Sequence, residues 1–438
     1  MHIAMFSNTY LPHVGGVARS VARFTDDLRH LGHRVLVVAP VYPGCTQTDA
    51  GAADILRVPA IQRFNGSDFS MRLGLPFLID QRIDEFAPDL IHSHHPYLLG
   101  DAAVRAAKRR RLPLIFTHHT RYEEYTHYVT PHSETMKHLA MHLATEYANM
   151  CDLVVAPSES IAALVRQRGV ETPVACIPTG VDTETFAAGD GDRFRRHLKI
   201  ADRAVVIGHV GRLAPEKNLD FLTEAMVDSL QRCRDAVFLL VGDGPSRRTM
   251  VETFEAEGLA DRLWRPGILD GRDLADAYRA MNLFVFASRS ETQGMVLTEA
   301  MAAGVPVIAL DAPGVREVVA DGENGRLLAA DAAPRAFAGA VAAAVEDNRF
   351  RRRATAGARE TARRFDRRTI AAELAASYAR TIAAHGQSEP PTDWKSTPWD
   401  ALLNLLRVEW DLLAEKASAV AAAVSQEEPP SDENTPQE

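Results

Sequence analysis

Short, continuous apolar runs, set between helix-like stretches, constrain this chain more than any other feature. Residues 2 to 6, 34 to 39, 89 to 92, 113 to 117 and 152 to 156 are such runs, and stretches such as Val17 to Leu31 separate them. A strand that is apolar on both sides must be covered on both faces, which helices crossing over a parallel sheet achieve. The first part of the chain therefore reads as a Rossmann-like α/β domain. The pattern restarts at Val205 to Val210 and runs on through Val237 to Val241, Asn282 to Ala287 and Val305 to Leu310. At 438 residues the chain exceeds what one core usually organises, so two domains are expected.

Composition excludes several function classes. Apolar content of 46% and charged content of 24% are those of an ordinary soluble protein. The net charge of −9 is concentrated at one end: from Gly386 onward, eleven acidic residues stand against Lys395, Arg407 and Lys416, a net of −8. The nearly neutral body has no electrostatic footprint for nucleic acid, and no such partner is expected. Cys45, Cys151, Cys176 and Cys233 lack metal-ligand or redox spacing, which fits a reducing cytoplasm. The start, MHIAMFSNTYLPH, lacks the basic residues and long apolar run of a signal peptide and reads as a first strand. No stretch reaches the roughly 18 to 20 apolar residues of a membrane span, so any membrane contact is expected at its surface.

Residues 288 to 309, SRSETQGMVLTEAMAAGVPVIA, carry the clearest chemistry. Leu283 to Ala287 reads as a strand end, Gly294 as a turn, Val296 to Ala303 as a helix and Val305 to Leu310 as the next strand. Glu291 falls in the loop and Glu299 about one turn into the helix, so both can point into a crevice at the carboxyl ends of the strands. Between them the amides of Gly294, Met295 and Val296 open a helix, and a helix N-terminus favours phosphate. Carboxylates accept hydrogen bonds from sugar hydroxyls while free amides hold a diphosphate, a combination that suits a nucleotide sugar.

Other stretches add candidates. In PHVGGVARS, Gly15 and Gly16 precede a helix and either form a plain loop pair or let backbone amides approach an anion. In GRLAPEKN, Arg212 and Lys217 leave a strand for a helix, as a solvated pair or as a planar fork and a point cation for a diphosphate. The segment from residue 113 to 128 is dense in histidine and tyrosine directly after a strand, where such folds build sites. Residues 62 to 77 read as a packed loop or a mobile acceptor or membrane-contact loop, and the basic run Lys108 to Arg111 as a solvated helix end or a face for anionic lipid. Pro131 to Met150 reads as a long helix. Asp190-Gly191-Asp192 looks like a metal-binding DxD but lies in what reads as a hinge-like linker turn, Gly189 to Asp192.

Taken whole, ETQGMVLTEAMAAGVPVIA resembles the signature of the retaining family 4 glycosyltransferases, whose GT-B fold places two Rossmann-like domains face to face across a cleft. GRLAPEKN is similar to that family's G-R-x4-K-N string. HHTRYEEYTHY is similar to the HTxYExYxHY string of the branch that includes nucleotide-sugar-dependent diacylglycerol glucosyltransferases. The resemblance covers roughly residues 1 to 385. It implies that Arg212, Lys217 and the amides of Gly294, Met295 and Val296 bind the donor diphosphate, with Gly15 and Gly16 reaching it from across the cleft. It further implies that the backbone at Ile268 meets the base, that Glu291 holds the sugar, and that Glu299 holds the ribose. His119 is implied near the reacting sugar, with Tyr122, Glu123 and His127 beside it on the acceptor side; His118 is left aside. His119, Arg212, Lys217 and Glu291 are thus the expected catalytic set.

The expected division is an acceptor-binding domain at 1–185 and a nucleotide-sugar domain at 193–365. A helix at 366–385 crosses back, and an acidic tail at 386–438 carries one amphipathic helix with Trp399, Leu402, Leu403, Leu406, Trp410 and Leu413, ending in a disordered stretch. The expected reaction moves a hexose, glucose from UDP-glucose, to a lipid hydroxyl such as that of diacylglycerol, with retention. No cofactor and no catalytic metal are expected, the nucleotide sugar being a co-substrate. A cytoplasmic enzyme, peripheral on the inner face of the membrane, is the matching location. A soluble or polyprenyl-linked glycan acceptor is the alternative. From another class, a nucleotide-sugar epimerase or a non-catalytic sugar-nucleotide-binding module competes.

Overall fold

A computed structural model describes residues 1–13, 15–42, 54–61, 71–72, 76–121 and 134–387. The apolar runs do become parallel strands in two separate sheets. The first has seven strands in the order Ile55–Val58, Arg34–Pro40, His2–Phe6, Leu90–Ser93, Leu114–Thr117, Leu153–Ala156 and Val174–Cys176. The second has six, in the order Leu263–Gly267, Ala236–Val241, Val205–Val210, Leu283–Phe286, Val307–Leu310 and Gly325–Leu328. Central strands such as Leu90–Ser93 and Leu283–Phe286 are buried along their whole length, as both-face coverage requires. Each sheet has a core on either face, and the two-Rossmann architecture expected from the sequence is the one observed.

The strands the sequence concealed lie mainly at edges. Val174–Cys176 continues the first sheet past Leu153–Ala156 as a half-buried edge strand of three residues, too short to stand out in the sequence. Leu263–Gly267 contains Pro266, which a sheet edge tolerates because one side of the strand needs no ladder donor.

The two bodies are clasped where the chain crosses between them. Val181 N donates to Phe365 O at 2.7 Å and Arg367 N donates to Val181 O at 3.0 Å. At Gly180 a Cβ would lie 2.4 Å from Arg367 Cα, so only glycine lets the crossings approach this closely. Past the crossing, the helix Arg367–Gln387 packs Ile370, Leu374 and Tyr378 into the core of the first sheet.

Val181 and Phe186 pack in the core of the second body, at the crossing between the two. Gly189 to Asp192 is no hinge: Asp190 caps the helix Gly191–His197 by accepting from Arg193 N at 2.9 Å, and its own amide donates to buried Asp276 at 2.6 Å. A Cβ on Gly189 or Gly191 would strike the carbonyl oxygens of Ala275 and Arg279, at 2.5 and 2.4 Å, so these glycines serve tight helix packing. The basic run is likewise occupied, since Arg109 pairs with Asp80 and Arg110 with Asp84, both on the helix Pro76–Phe86. Residues 62 to 70, most of the acceptor string and the tail with its tryptophans lie outside the described residues. Among the described residues, no helix is long and apolar enough to cross a membrane.

Candidate active site

Each sheet reverses its strand order beside its first strand. His2–Phe6 lies between Arg34–Pro40 and Leu90–Ser93, and Val205–Val210 lies between Ala236–Val241 and Leu283–Phe286. Connections leaving such a point depart to opposite faces and open a crevice at the carboxyl ends of the strands. In the first body the loops there lead to Gly15 and Gly16 and through His94 and His95. In the second they carry Arg212 to Lys217 and Ser288 to Gly294.

In the second body the crevice is lined by paired charges. The ammonium of Lys217 meets Glu291, both side chains being less than one-fifth exposed, and Arg212 pairs with Glu216. Asn218 Nδ2 donates to Ala287 O at 3.1 Å and Ser290 Oγ donates to Glu216 O at 3.0 Å, so the two loops are stitched together. Gly294 adopts a left-handed φ of +70° directly before the helix Met295–Ala302, which has no side-chain cap. A Cβ there would be strained and only 2.8 Å from Leu297 Cδ1. The opening amides of Met295 and Val296 therefore face an anion-favouring end. Ile268, just after Gly267, is 57% exposed.

Glu299 is held by residues outside the crevice loops. It is 1% exposed, and Arg23 of the helix Gly16–His30 in the first body forms an ion pair with it. The Tyr278 hydroxyl donates to its other oxygen at 2.9 Å. The two carboxylates of the motif thus sit in different surroundings, because Glu299, in the second turn of its helix, faces the helix that starts at Gly16.

In the first body the crevice is lined by neutral imidazoles. His119 follows the strand Leu114–Thr117, and its Nε2 lies 2.9 Å from Nδ1 of His94. The His94 ring lies against His92, with centroids 4.1 Å apart. His92 is held by the Tyr378 hydroxyl at 2.6 Å and the Thr117 hydroxyl at 2.7 Å. Burial pushes the His92 and His95 imidazoles down to about 3. Burial, and then the neighbouring imidazoles, hold His94 and His119 well below the ordinary range, so the cluster is uncharged near neutral pH. His118 is buried edge-on against Phe116. Tyr122, Glu123 and His127 lie outside the described residues.

The loop between the two motif glutamates joins the halves. Thr292 Oγ1 donates to the His119 carbonyl at 2.8 Å, and Ser158 Oγ donates to the Thr292 carbonyl at 2.7 Å. Gln293, 5% exposed, takes both backbone groups of Thr179 at 2.7 Å each. At Gly16 a Cβ would stand 3.7 Å from Met295 Cε, so the two helix starts face one another. The structure thus brings Lys217 to Glu291, Gly16 to Met295, and His119 to the loop after Glu291. Sequence reading overlooked Arg23, His94, Thr292 and Gln293. Arg23 carried a legible signal, being two helical turns from Gly16 on the same face. Among the described residues, no cluster of three or more histidine, cysteine or acidic side chains is arranged to hold a metal.

Comparison with known proteins bears on the family and the fold. Residues 14–185 match the family described as Glycosyltransferase Family 4, and residues 190–361 match Glycosyl transferases group 1. The alpha-monoglucosyldiacylglycerol synthase of Acholeplasma laidlawii is 27% identical over 337 residues, covering 74% of this chain and 84% of that protein. The GDP-mannose-dependent alpha-mannosyltransferase of Mycobacterium tuberculosis (strain CDC 1551 / Oshkosh) is 30% identical over 331 residues, covering 75% of this chain and 84% of that protein. Among solved structures, Anabaena HepE in complex with UDP superposes with a TM-score of 0.71 at 23% identity, covering 87% of this chain and all of that one.

Proposed function

Because this chain belongs to the family 4 glycosyltransferases of GT-B fold, we propose that it moves a hexose from a nucleoside diphosphate to a lipid hydroxyl, with retention of configuration. The observation that carries this reading is the Lys217–Glu291 pair set beside an uncapped helix start, with His119 across the cleft. Breaking the bond between the sugar carbon and the phosphate oxygen sends its electron pair onto the diphosphate. Lys217, Arg212 and the amides after Gly294 are suited to stabilising that charge. Glu291 complements the positive face of the sugar, and Glu299 the ribose once Arg23 yields. The acceptor oxygen bonds to the same face of the carbon, and its proton passes to the leaving diphosphate. No residue is required as a covalent nucleophile, and no metal or cofactor takes part.

UDP-glucose and diacylglycerol are the preferred substrates, since the A. laidlawii relative is a glucosyldiacylglycerol synthase and the 118 to 128 string resembles that branch. The similar identity to GDP-mannose-dependent enzymes favours a second donor reading, because backbone contacts near Ile268 distinguish bases weakly. Release of nucleoside diphosphate should be followed from UDP-glucose and from GDP-mannose, in mixed micelles with and without diacylglycerol. Release from UDP-glucose that depends on diacylglycerol and yields a glucosyl lipid is expected. Release from GDP-mannose alone would replace the donor, and release that needs a glycan in place of the lipid would replace the acceptor.

A further inference from the structure

The histidines behind His119 have no role in the reaction above, yet their geometry restricts what His119 can do. Between His94 Nδ1 and His119 Nε2, at 2.9 Å, one nitrogen must carry the hydrogen. The remaining nitrogen of His94, Nε2, is sealed from solvent and has no partner among the described residues. If His119 donated, His94 would hold its own hydrogen on that sealed Nε2, leaving a buried N–H orphaned. If His94 donates, the sealed atom is a bare lone pair. Orphaned buried donors are the rarer arrangement in proteins, so the second assignment is favoured.

His94 has little freedom to escape the choice. Its ring lies against His92, and both nitrogens of His92 are held, by Tyr378 on the crossing helix and by Thr117 on the strand leading to His119. With His119 Nε2 accepting, a neutral His119 carries its hydrogen on Nδ1. That nitrogen has no partner among the described residues and is not sealed from solvent.

We propose that His94 sets the tautomer of His119, so that His119 turns an Nδ1–H, a hydrogen-bond donor, toward the cleft. His94 is a positioning residue, and through it His119 acts by donating to an oxygen of the sugar or the acceptor, not by taking a proton. The inference rests on the reading of His119 as a residue beside the reacting sugar. It agrees with the acceptor proton leaving on the diphosphate, and it accounts for a row of buried imidazoles in place of the carboxylate that would orient a histidine base.

The test is a long-range nitrogen–proton NMR spectrum of the full chain labelled with 15N-histidine, with the His119 signals assigned by their loss in His119→Asn. The expected pattern at pH 7 is a protonated Nδ1 and a bare Nε2. A protonated Nε2 in the unmodified protein overturns the proposal without any variant having to fold. His94→Leu should return His119 to the Nε2–H form usual in solution, whereas His94→Asn, which keeps an N–H near the original Nδ1, should retain the Nδ1–H form. In donor turnover, His94→Leu should lower kcat about tenfold with donor KM nearly unchanged, and His94→Asn should recover most of it. If the spectra are as expected but His119→Asn turns over normally, the tautomer assignment stands and the placement of His119 in the reaction falls.

Discussion

The two halves of the cleft solve opposite electrostatic problems. The second body keeps its carboxylates and cations charged, pairing Lys217 with Glu291 and Arg212 with Glu216 so that each charge is compensated before a ligand arrives. The first body lines its side with histidines that burial keeps neutral, and holds His92 through two hydroxyls and His94 through His119. The contrast teaches how labour is divided in the proposed reaction. A diphosphate needs fixed charge, which is expensive to bury and must be paired. Hydroxyl acceptors need directed hydrogen bonds, which neutral rings supply without drawing in water. Arg23 is the exception, a cation from the neutral half that serves the charged one through Glu299.

Removing charge from the second body should cost most. Lys217→Ala takes away the cation proposed to stabilise the leaving group and strands Glu291, and donor turnover should fall about a thousandfold. Arg212→Ala should fall about a hundredfold, mainly in kcat. Steady-state release of nucleoside diphosphate measures both, and unchanged kinetics in the pair would remove the charged half from the reaction.

The neutral half should fail in acid. With folded pKa values of about 3 for His92 and His95, below an unfolded value of about 6.5, the unfolded chain binds more protons. Their stabilisation is complete above about pH 6.5 and declines as pH falls toward about 3, by up to about 1.4 kcal/mol per pH unit for each ring. The second body buries one comparable ring, His209, held down to about 4. Hydrogen exchange at pH 7 and pH 5 should therefore show His2–Phe6 and Leu90–Ser93 losing more protection than Val205–Val210. Equal losses would erase the distinction.

Smaller effects sharpen the junction. Glu299→Ala should raise the Kd for the donor about tenfold by calorimetry while changing kcat less, since its proposed partner, the ribose, does not react. Gly16→Ala tests the facing helix starts most gently. Its Cβ would meet only Met295 Cε at ordinary contact distance, so Tm should hardly move; a donor KM raised about threefold would place the loss in the ligand complex.

Much of this architecture was legible in the chain. Apolar runs longer than chance, recurring between helical stretches, admit little besides covered parallel sheets, and the motif from Glu291 to Glu299 announced a loop opening a helix. Lys217, Glu291 and Gly294 were legible as candidates because their placement depends on local geometry: a strand end, a turn, a helix start. The edge strand Val174–Cys176 went unread because three residues are too few to set a strand apart from a loop. Gly189 to Asp192 misled because glycine beside aspartate marks a flexible turn and a tight helix contact equally well.

Sequence by itself determined the two-domain class, the family and the residues offered at each strand end, since these follow from patterns within reach of one segment. Tertiary structure alone decided which of them meet. Arg23 reaches Glu299 across 276 positions, Thr292 reaches His119 across 173 and Tyr378 reaches His92 across 286. Contacts of that range depend on how two bodies are clasped at Val181 and Arg367. No local spacing encodes that clasp, because its energy comes from burying surfaces that the chain brings together only when both sheets have formed.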